Sequence, residues 1–189
     1  MKKLAFIAVL MTSISAFGLD LQELIKDKEK LNRNGVDFYI EPHSSIKKDI
    51  LSGKFDEVVK NMKIDDDPRQ GRAVNPSLSM VHIYEVESTK GGLEVINYRQ
   101  GVTKRAHGGS LFKLSTKMLG FGCLSDVASF KKQFVRRIES TFVVRGNRAV
   151  GCVDVRDLSN KSSNGNFVFT ARNSSGFSAR KISESLFIK

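Results

Sequence analysis

The stretch from residue 99 to residue 113 contains the residues best suited to chemistry in this chain. It combines one histidine with adjacent glycines and several cations, namely Arg99, Lys104, Arg105, His107, Gly108, Gly109, Ser110 and Lys113. Histidine transfers protons near neutral pH, cations neutralise the charge that develops on a phosphodiester, and glycine lets backbone amides approach a phosphate. In an enzyme, this pattern would favour phosphodiester cleavage.

A nuclease built on this stretch would use His107 for proton transfer, with Lys104 and Arg105 binding the phosphate. The complementary base would come from the preceding hairpin, which carries Glu85, our first choice, and also Glu87 and Glu94. No fixed spacing links these residues, and basic glycine-rich loops join strands in proteins of many functions. A secreted, metal-independent nuclease is therefore the alternative interpretation.

No other catalytic, metal or cofactor motif is present in the sequence. It lacks the Gly-X-Ser-X-Gly elbow, the His-Glu-X-X-His motif, the phosphate loop and the dinucleotide fingerprint. Zinc requires three or four ligands at defined spacing, whereas the histidines at 43, 82 and 107 are scattered. The aspartates at 65–67 lack the order of a calcium-binding EF-hand loop. We therefore predict no metal and no cofactor.

Residues 1–18 have the three parts of a secretory signal peptide. The first three residues carry positive charge, residues 4–11 are apolar, and Ala16 and Gly18 place small side chains at positions −3 and −1 of a cleavage site. The apolar run is shorter than the roughly 20 residues of a spanning helix. We predict cleavage, export to the periplasm or the exterior, and no membrane span in the mature chain.

Export changes the interpretation of Cys123 and Cys152, which are the only cysteines. In an oxidising compartment an even number of cysteines usually forms disulfides. Redox-active pairs usually have the Cys-X-X-Cys spacing, and these two cysteines lie far apart. We therefore predict one structural disulfide between them.

Charge is distributed unevenly along the chain. Residues 19–70 contain 10 Lys and Arg against 12 Asp and Glu, whereas residues 71–189 contain 19 against 8. A strongly basic segment favours encounter with acidic partners. We expect an acidic protein or an envelope component, with nucleic acid as a further possibility. The absence of Trp and the presence of only three Tyr argue against a nucleic-acid surface based on aromatic stacking.

Hydrophobic periodicity divides the chain into three parts after the signal peptide. Residues 19–63 have helical spacing, residues 64–76 form a polar linker, and residues 77–189 alternate as in strands. The predicted helices cover 19–34, the segment around Ile46 and Ile50, and the segment after Phe55. The predicted strands cover 36–40, 81–87, 93–99, 110–118, 142–144, 149–155, 167–172 and part of 177–188.

One amphipathic helix is predicted inside the sheet region, after a cap at Ser125 or Asp126. Its apolar face would consist of Val127, Phe130, Phe134 and Ile138, with Lys132 and Arg136 on the outer side. The predicted fold class is therefore α+β. N-terminal helices precede an antiparallel sheet of about five to seven strands with one inserted helix and one disulfide, and residues 19–63 and 77–189 form one compact domain.

These observations favour an exported, non-enzymatic binding or envelope-assembly protein. It would hold an acidic macromolecular partner on the free face of its sheet and on its basic loops. The predicted binding residues are Lys104, Arg105, Lys132 and Arg136. For the cations of the predicted helix alone, an ordinary solvated face is the favoured interpretation.

Overall fold

The structure, a computed structural model, describes residues 21–60, 77–120, 125–146, 148–161, 164–173 and 180–189. The elements in chain order are α1 (Leu21–Ile25), β1 (Glu29–Arg33), β2 (Val36–Ile40), α2 (Ile46–Leu51), α3 (Asp56–Lys60), β3 (Met80–Ser88), β4 (Gly92–Val95), β5 (Phe112–Leu119), β6 (Asp126–Phe130), β7 (Gln133–Phe134), β8 (Arg137–Arg145), β9 (Arg148–Asp157), β10 (Gly165–Arg172) and β11 (Lys181–Ile188). The protein is therefore mostly β rather than α+β.

The strands form two antiparallel sheets instead of the single sheet predicted. The larger sheet has seven strands in the order β1-β2-β8-β9-β5-β3-β4, and the smaller has four in the order β11-β10-β6-β7. Several neighbouring strands are also consecutive in the chain, as in β1-β2, β8-β9 and β10-β11, and short connections of this kind produce antiparallel pairing.

Both faces of the seven-stranded sheet are covered. The four-stranded sheet packs on one face through a cluster that includes Phe112, Phe130, Phe167 and Phe169. The helices α2 and α3 cover the other face through a cluster that includes Phe38, Ile46, Ile50, Phe55 and Val153. Strand β9 is buried at every position from Ala149 to Arg156 because it lies centrally between these two layers.

The predicted helix over residues 19–34 is wrong. Helix α1 ends at Ile25, and the following residues form the hairpin of β1 and β2. Asn34 and Gly35, which we interpreted as the end of a helix, have φ angles of 52° and 75° and form the hairpin turn. Strand β2 also pairs with β8, more than 100 residues later in the chain, and this long-range partner favours the extended conformation.

The predicted inserted helix is also wrong, because its sequence forms β6, a turn and β7. Phe130 pairs with Phe167 of β10, so alternate residues rather than helical faces point into the core. Accordingly Ala128 and Phe130 are buried, whereas Val127 is 56% exposed and Phe134 is 68% exposed. The apolar spacing of this segment is compatible with both a helical and a strand repeat. Pairing with β10 determines that the segment forms strands.

Other predicted features lie partly or wholly outside the described residues. These include the signal peptide at 1–18, the linker at 64–76 and Cys123. Cys152 is buried in β9, so only one half of the predicted disulfide is described. No helix in the described ranges has both the length and the apolar character needed to span a membrane.

A buried ionic cluster joins the two sheets. The guanidinium of Arg156 in β9 is ion-paired with Asp126 of β6 and lies 5.2 Å from the ring centre of Phe169 in β10. Asp154 Oδ2 lies 3.6 Å from both Arg156 Nη2 and Arg137 Nη1. Because β9 and β6 belong to different sheets, this cluster sets their relative position.

The cluster is incompletely satisfied. Asp154 accepts a hydrogen bond from the Ser140 hydroxyl at 2.7 Å, but its Oδ2 and the Nε of Arg156 have no hydrogen-bond partner. Burial raises the pKa of Asp154 to about 6, against the opposing charge of Arg137. Burial likewise lowers the pKa of Arg156 to about 10.

The raised pKa of Asp154 predicts a stability that falls as pH rises. The folded state binds this proton more tightly than the unfolded state, so the contribution is complete below pH 4 and is lost through pH 6. The loss amounts to roughly 3 kcal/mol by pH 7. Part of this loss has already occurred at pH 4.5, so urea denaturation at pH 4.5 and pH 7 should show a difference of about 2 kcal/mol in the wild type and a smaller one in Asp154→Asn. Equal pH dependence in the two proteins would contradict the assignment.

Gly120, which follows β5, should tolerate no side chain. Its φ angle is +83°, and a Cβ atom there would lie 2.1 Å from the backbone oxygen of Ser77. We expect Gly120→Ala to lower the free energy of unfolding by at least about 3 kcal/mol. Gly35→Ala is the matched control, because Gly35 also has positive φ but has no atom within 4 Å of a Cβ. It should cost about 1 kcal/mol in the same urea titration.

Candidate functional site

The segment between β4 and β5 forms an exposed basic loop, residues 97–107, which we call the basic loop. Its exposed residues include Tyr98, Arg99, Lys104 and Arg105. It contains no acidic residue. The basic loop therefore presents cations to solvent and carries no acidic side chain of its own.

A buried carboxylate anchors the C-terminal half of the basic loop from inside. Glu94 of β4 accepts hydrogen bonds from the backbone N–H groups of Lys104 at 2.7 Å and Arg105 at 2.9 Å. Its Oε2 also lies 3.1 Å from Nε2 of His107. Burial acts to raise the pKa of Glu94, but these hydrogen bonds outweigh it and lower the pKa below its usual value. Glu94 is therefore ionised at neutral pH.

A second carboxylate anchors the N-terminal half of the basic loop. Glu184 of β11 turns into the protein, accepts a hydrogen bond from the backbone N–H of Arg99 at 3.0 Å, and lies 3.3 Å from Nδ1 of His82. It also accepts from the backbone N–H of Ile83, next to the bulge between β3 and β5. Glu94 and Glu184 thus bind the backbone of the residues whose side chains are the exposed cations.

Strand β11 supports the basic loop along its length. The N–H of Phe187 donates to Gly101 O, and the N–H of Thr103 donates to Phe187 O, both at 2.9 Å. The N–H of His107 donates to Lys189 O at 2.7 Å. Residues 101–103 therefore extend the four-stranded sheet beyond β11, as an isolated parallel bridge between Val102 and Phe187.

His107, the proposed catalytic histidine of the nuclease alternative, is fully buried. Its Nδ1 lies 3.0 Å from the Ser88 hydroxyl, and its Nε2 faces Glu94. A Cβ atom on Gly91 would come within 2.5 Å of the ring, so the turn after β3 covers it closely. Ser88, His107 and Glu94 form a serine–histidine–acid line, but the Ser88 hydroxyl is buried and already accepts from the N–H of Gly91 at 2.9 Å. This geometry supports an anchoring role.

Glu85, the first-choice base of the nuclease alternative, belongs to a different cluster. It forms an ion pair with Lys54 in the segment that precedes α3. Burial raises the pKa of Glu85, against the opposing effect of Lys54. Of the predicted catalytic set, the structure therefore brings together Lys104, Arg105 and His107, whereas Glu85 has its own partner. The glutamate beside His107 is Glu94.

Lys132 lies at the same end of the four-stranded sheet as Lys104. The turn of Lys131 and Lys132 is held to β10 by the N–H of Lys131, which donates to Asn166 O at 3.0 Å. Asn166 pairs with Phe187, and Phe187 bonds to the basic loop. Three strand spacings separate the turn from the loop, or about 14 Å.

The remaining predicted binding residues have more local surroundings. Arg105 Nη1 donates to the backbone oxygens of Gly91 and Leu93, both at 3.2 Å, and lies along the edge of β4. Arg136 is exposed beside the end of β9, where its backbone oxygen accepts from the N–H of Asp157 at 3.3 Å. Of the four predicted cations, Arg105 is the one whose side chain has a hydrogen bond among the described residues.

The carboxylates that hold the basic loop were not recognisable from sequence as anchors. The sequence indicates Glu94 only as a candidate base, and no sequence pattern distinguishes Glu184 from other strand residues. Each lies in an alternating strand, and nothing in the local pattern says which face of that strand is buried. The described residues contain no group of three or more His, Cys, Asp or Glu side chains able to hold a metal ion.

Fold and site together define an antiparallel β protein of two packed sheets, with a basic loop anchored by internal carboxylates. Residues 73–188 match the family described as Domain of unknown function (DUF4879), and the chain belongs to this family. The matched range contains β3 to β11, and so includes both glutamates, the basic loop and the hairpin of Lys132. No curated protein and no solved structure matches the chain.

Removal of the Glu94 charge should loosen the basic loop. In Glu94→Gln, the amide NH₂ faces backbone N–H donors, and we expect unfolding to become easier by about 1–3 kcal/mol at pH 7. Trypsin should also cleave faster after Lys104 and Arg105, because their backbone is no longer held. Exposed Glu87 provides the control, since Glu87→Gln should change neither the urea midpoint nor the cleavage rate. Unchanged cleavage in Glu94→Gln would exclude the anchoring role.

Proposed function

We propose that this protein is an exported, non-enzymatic binding protein that holds an acidic macromolecular partner on its basic surface. The observation that carries the proposal is the basic loop, whose exposed cations are mounted on a backbone held by two buried carboxylates. A preorganised loop loses little conformational entropy when it binds, so its charges contribute more to affinity than those of a flexible loop.

The burial of acidic side chains makes the surface more basic than the composition suggests. Of the eight acidic residues after residue 70, five have side chains that are at most 9% exposed, namely Glu85, Glu94, Asp126, Asp154 and Glu184. Their charges are used inside the protein, whereas most of the cations in the same segment face solvent. The net positive charge of this segment attracts polyanions and acidic proteins over long range, and at contact they meet cations and few carboxylates.

The cellular location and the partner class belong to the same proposal. The signal-peptide pattern of residues 1–18 supports export to the periplasm or the exterior. In these compartments, the proposed partner is an acidic protein or an acidic envelope component. An assembly role in the envelope is the narrower form of this proposal.

No observation favours the secreted-nuclease alternative over binding. A general base must reach the proton that it removes, and His107 has both ring nitrogens engaged and no exposed surface. Incubation of the protein with RNA and with DNA tests this alternative directly. Cleavage that is lost in His107→Ala, with the fold retained, would replace the binding proposal by the nuclease.

Charge reversal tests the binding surface. We expect Lys104→Glu combined with Lys132→Glu to elute from immobilised heparin at lower salt than the wild type, because both side chains face the proposed partner. The control combines Lys26→Glu with Lys48→Glu, which changes the net charge equally but lies on α2 and beside α1. This control should elute between the wild type and the site variant. Equal elution of the two variants would show that only net charge matters and would refute the proposed surface.

A further inference from the structure

The outer face of the four-stranded sheet lies next to the basic loop and has an unusual composition. Strand alternation points Ser129, Thr170, Ser183 and Ser185 outward, opposite the buried Ala128, Phe169 and Leu186. The two acidic residues in the strands of this sheet, Asp126 and Glu184, both turn inward and are engaged there. The outer face described by the structure therefore contains hydroxyl groups, cations and apolar groups but no carboxylate.

Two pairs of cations lie at the two ends of this face, and both are unfavourable for the isolated protein. Arg172 and Lys181 are direct cross-strand partners in β10 and β11, and like charges in that position destabilise a sheet. At the other end, Lys131 and Lys132 have φ angles of 52° and 65°, a left-handed conformation that suits Asn and Gly. Strain retained at such positions indicates a role in function.

Three apolar side chains of this face are exposed to solvent. Phe134 is directly opposite Ser129 and is therefore outward; at 68% it is the most exposed large apolar side chain in the described ranges. Val127 on the same face is 56% exposed, and Phe187 is 44% exposed. Phe134 follows the lysine turn by two residues, so an aromatic ring and cations share one hairpin tip.

This combination fits an anionic lipid surface better than a single-stranded nucleic acid. Exposed apolar groups enter the boundary between headgroups and acyl chains, while adjacent Lys and Arg contact anionic headgroups. A single-stranded nucleic acid would require successive aromatic platforms, whereas Phe134 and Phe187 lie on opposite edge strands and Val127 cannot stack on a base. An extended face about 20 Å long, with cations at both ends, matches a planar partner.

We propose that the outer face of the four-stranded sheet docks on an anionic lipid bilayer. Phe134 and Val127 enter the interface, and Lys132, Arg172 and Lys181 contact the phosphate headgroups. This inference rests on the proposed function, because it names the acidic partner of the basic surface. It requires no spanning segment, since the contact is made by side chains of a folded sheet.

Vesicle co-sedimentation tests the docking with the folded protein. The wild type should bind vesicles that contain phosphatidylglycerol and should not bind phosphatidylcholine alone. Arg172→Ser should weaken binding about fivefold, as expected for one cation near an anionic surface. Phe134→Ser should weaken it by about fivefold or more, because the ring no longer enters the interface. Lys48→Ser and Leu51→Ser are matched controls on α2, where Leu51 is 59% exposed, and both should bind as the wild type does.

Lys132→Gly separates docking from folding. Glycine removes the strain of positive φ, so thermal stability should rise, whereas the loss of the cation should weaken vesicle binding about fivefold. A variant that is more stable and binds less well cannot be explained by misfolding. Unchanged vesicle binding in Lys132→Gly would overturn the proposed orientation.

The outcomes also distinguish this inference from the proposed function. Binding that depends on the cations but not on Phe134 would overturn docking by insertion. Absence of vesicle binding, together with heparin or acidic-protein binding that depends on Lys104, would overturn the lipid inference and leave the proposed function intact. Absence of binding to every anionic probe would overturn both.

Discussion

The guanidinium of Arg156 is the constraint on which the arrangement of the two sheets depends. It is 2% exposed, lies between the sheets, and is held by Asp126 from one sheet and Asp154 from its own strand. A buried charge without partners would cost several kcal/mol, so these groups must stay in register. The four-stranded sheet therefore has one position on the larger sheet, and its outer face and the basic loop take fixed positions with it.

The same principle recurs at the surface, where internal carboxylates organise external cations. Glu94 and Glu184 bind backbone N–H groups of the basic loop and are shielded from solvent, so they hold the loop without offering their charge to a partner. The backbone hydrogen bonds of Glu94 lower its pKa, so this carboxylate remains ionised although it is buried. The result is a separation of charge, with acids inside and cations outside, which composition alone cannot reveal.

Several features of the smaller sheet reduce its stability. They are the left-handed lysine turn, the facing pair of Arg172 and Lys181, and the exposed ring of Phe134. All of them lie on or next to the face that has no carboxylate. Stability that is lost on one surface of the protein is the pattern expected of a binding site.

The sequence by itself determined the antiparallel strands of the C-terminal part, the hairpin of β8 and β9, and the basic character of the loop. These depend on local alternation, turn residues and composition, which act over a few residues. Only the tertiary structure decided that residues 126–138 are strands, because pairing of β6 with β10 outweighed a helical spacing of Val127, Phe130 and Phe134. It also decided that His107 is buried and that Glu94 is its partner, since the burial of a strand face depends on what packs against it.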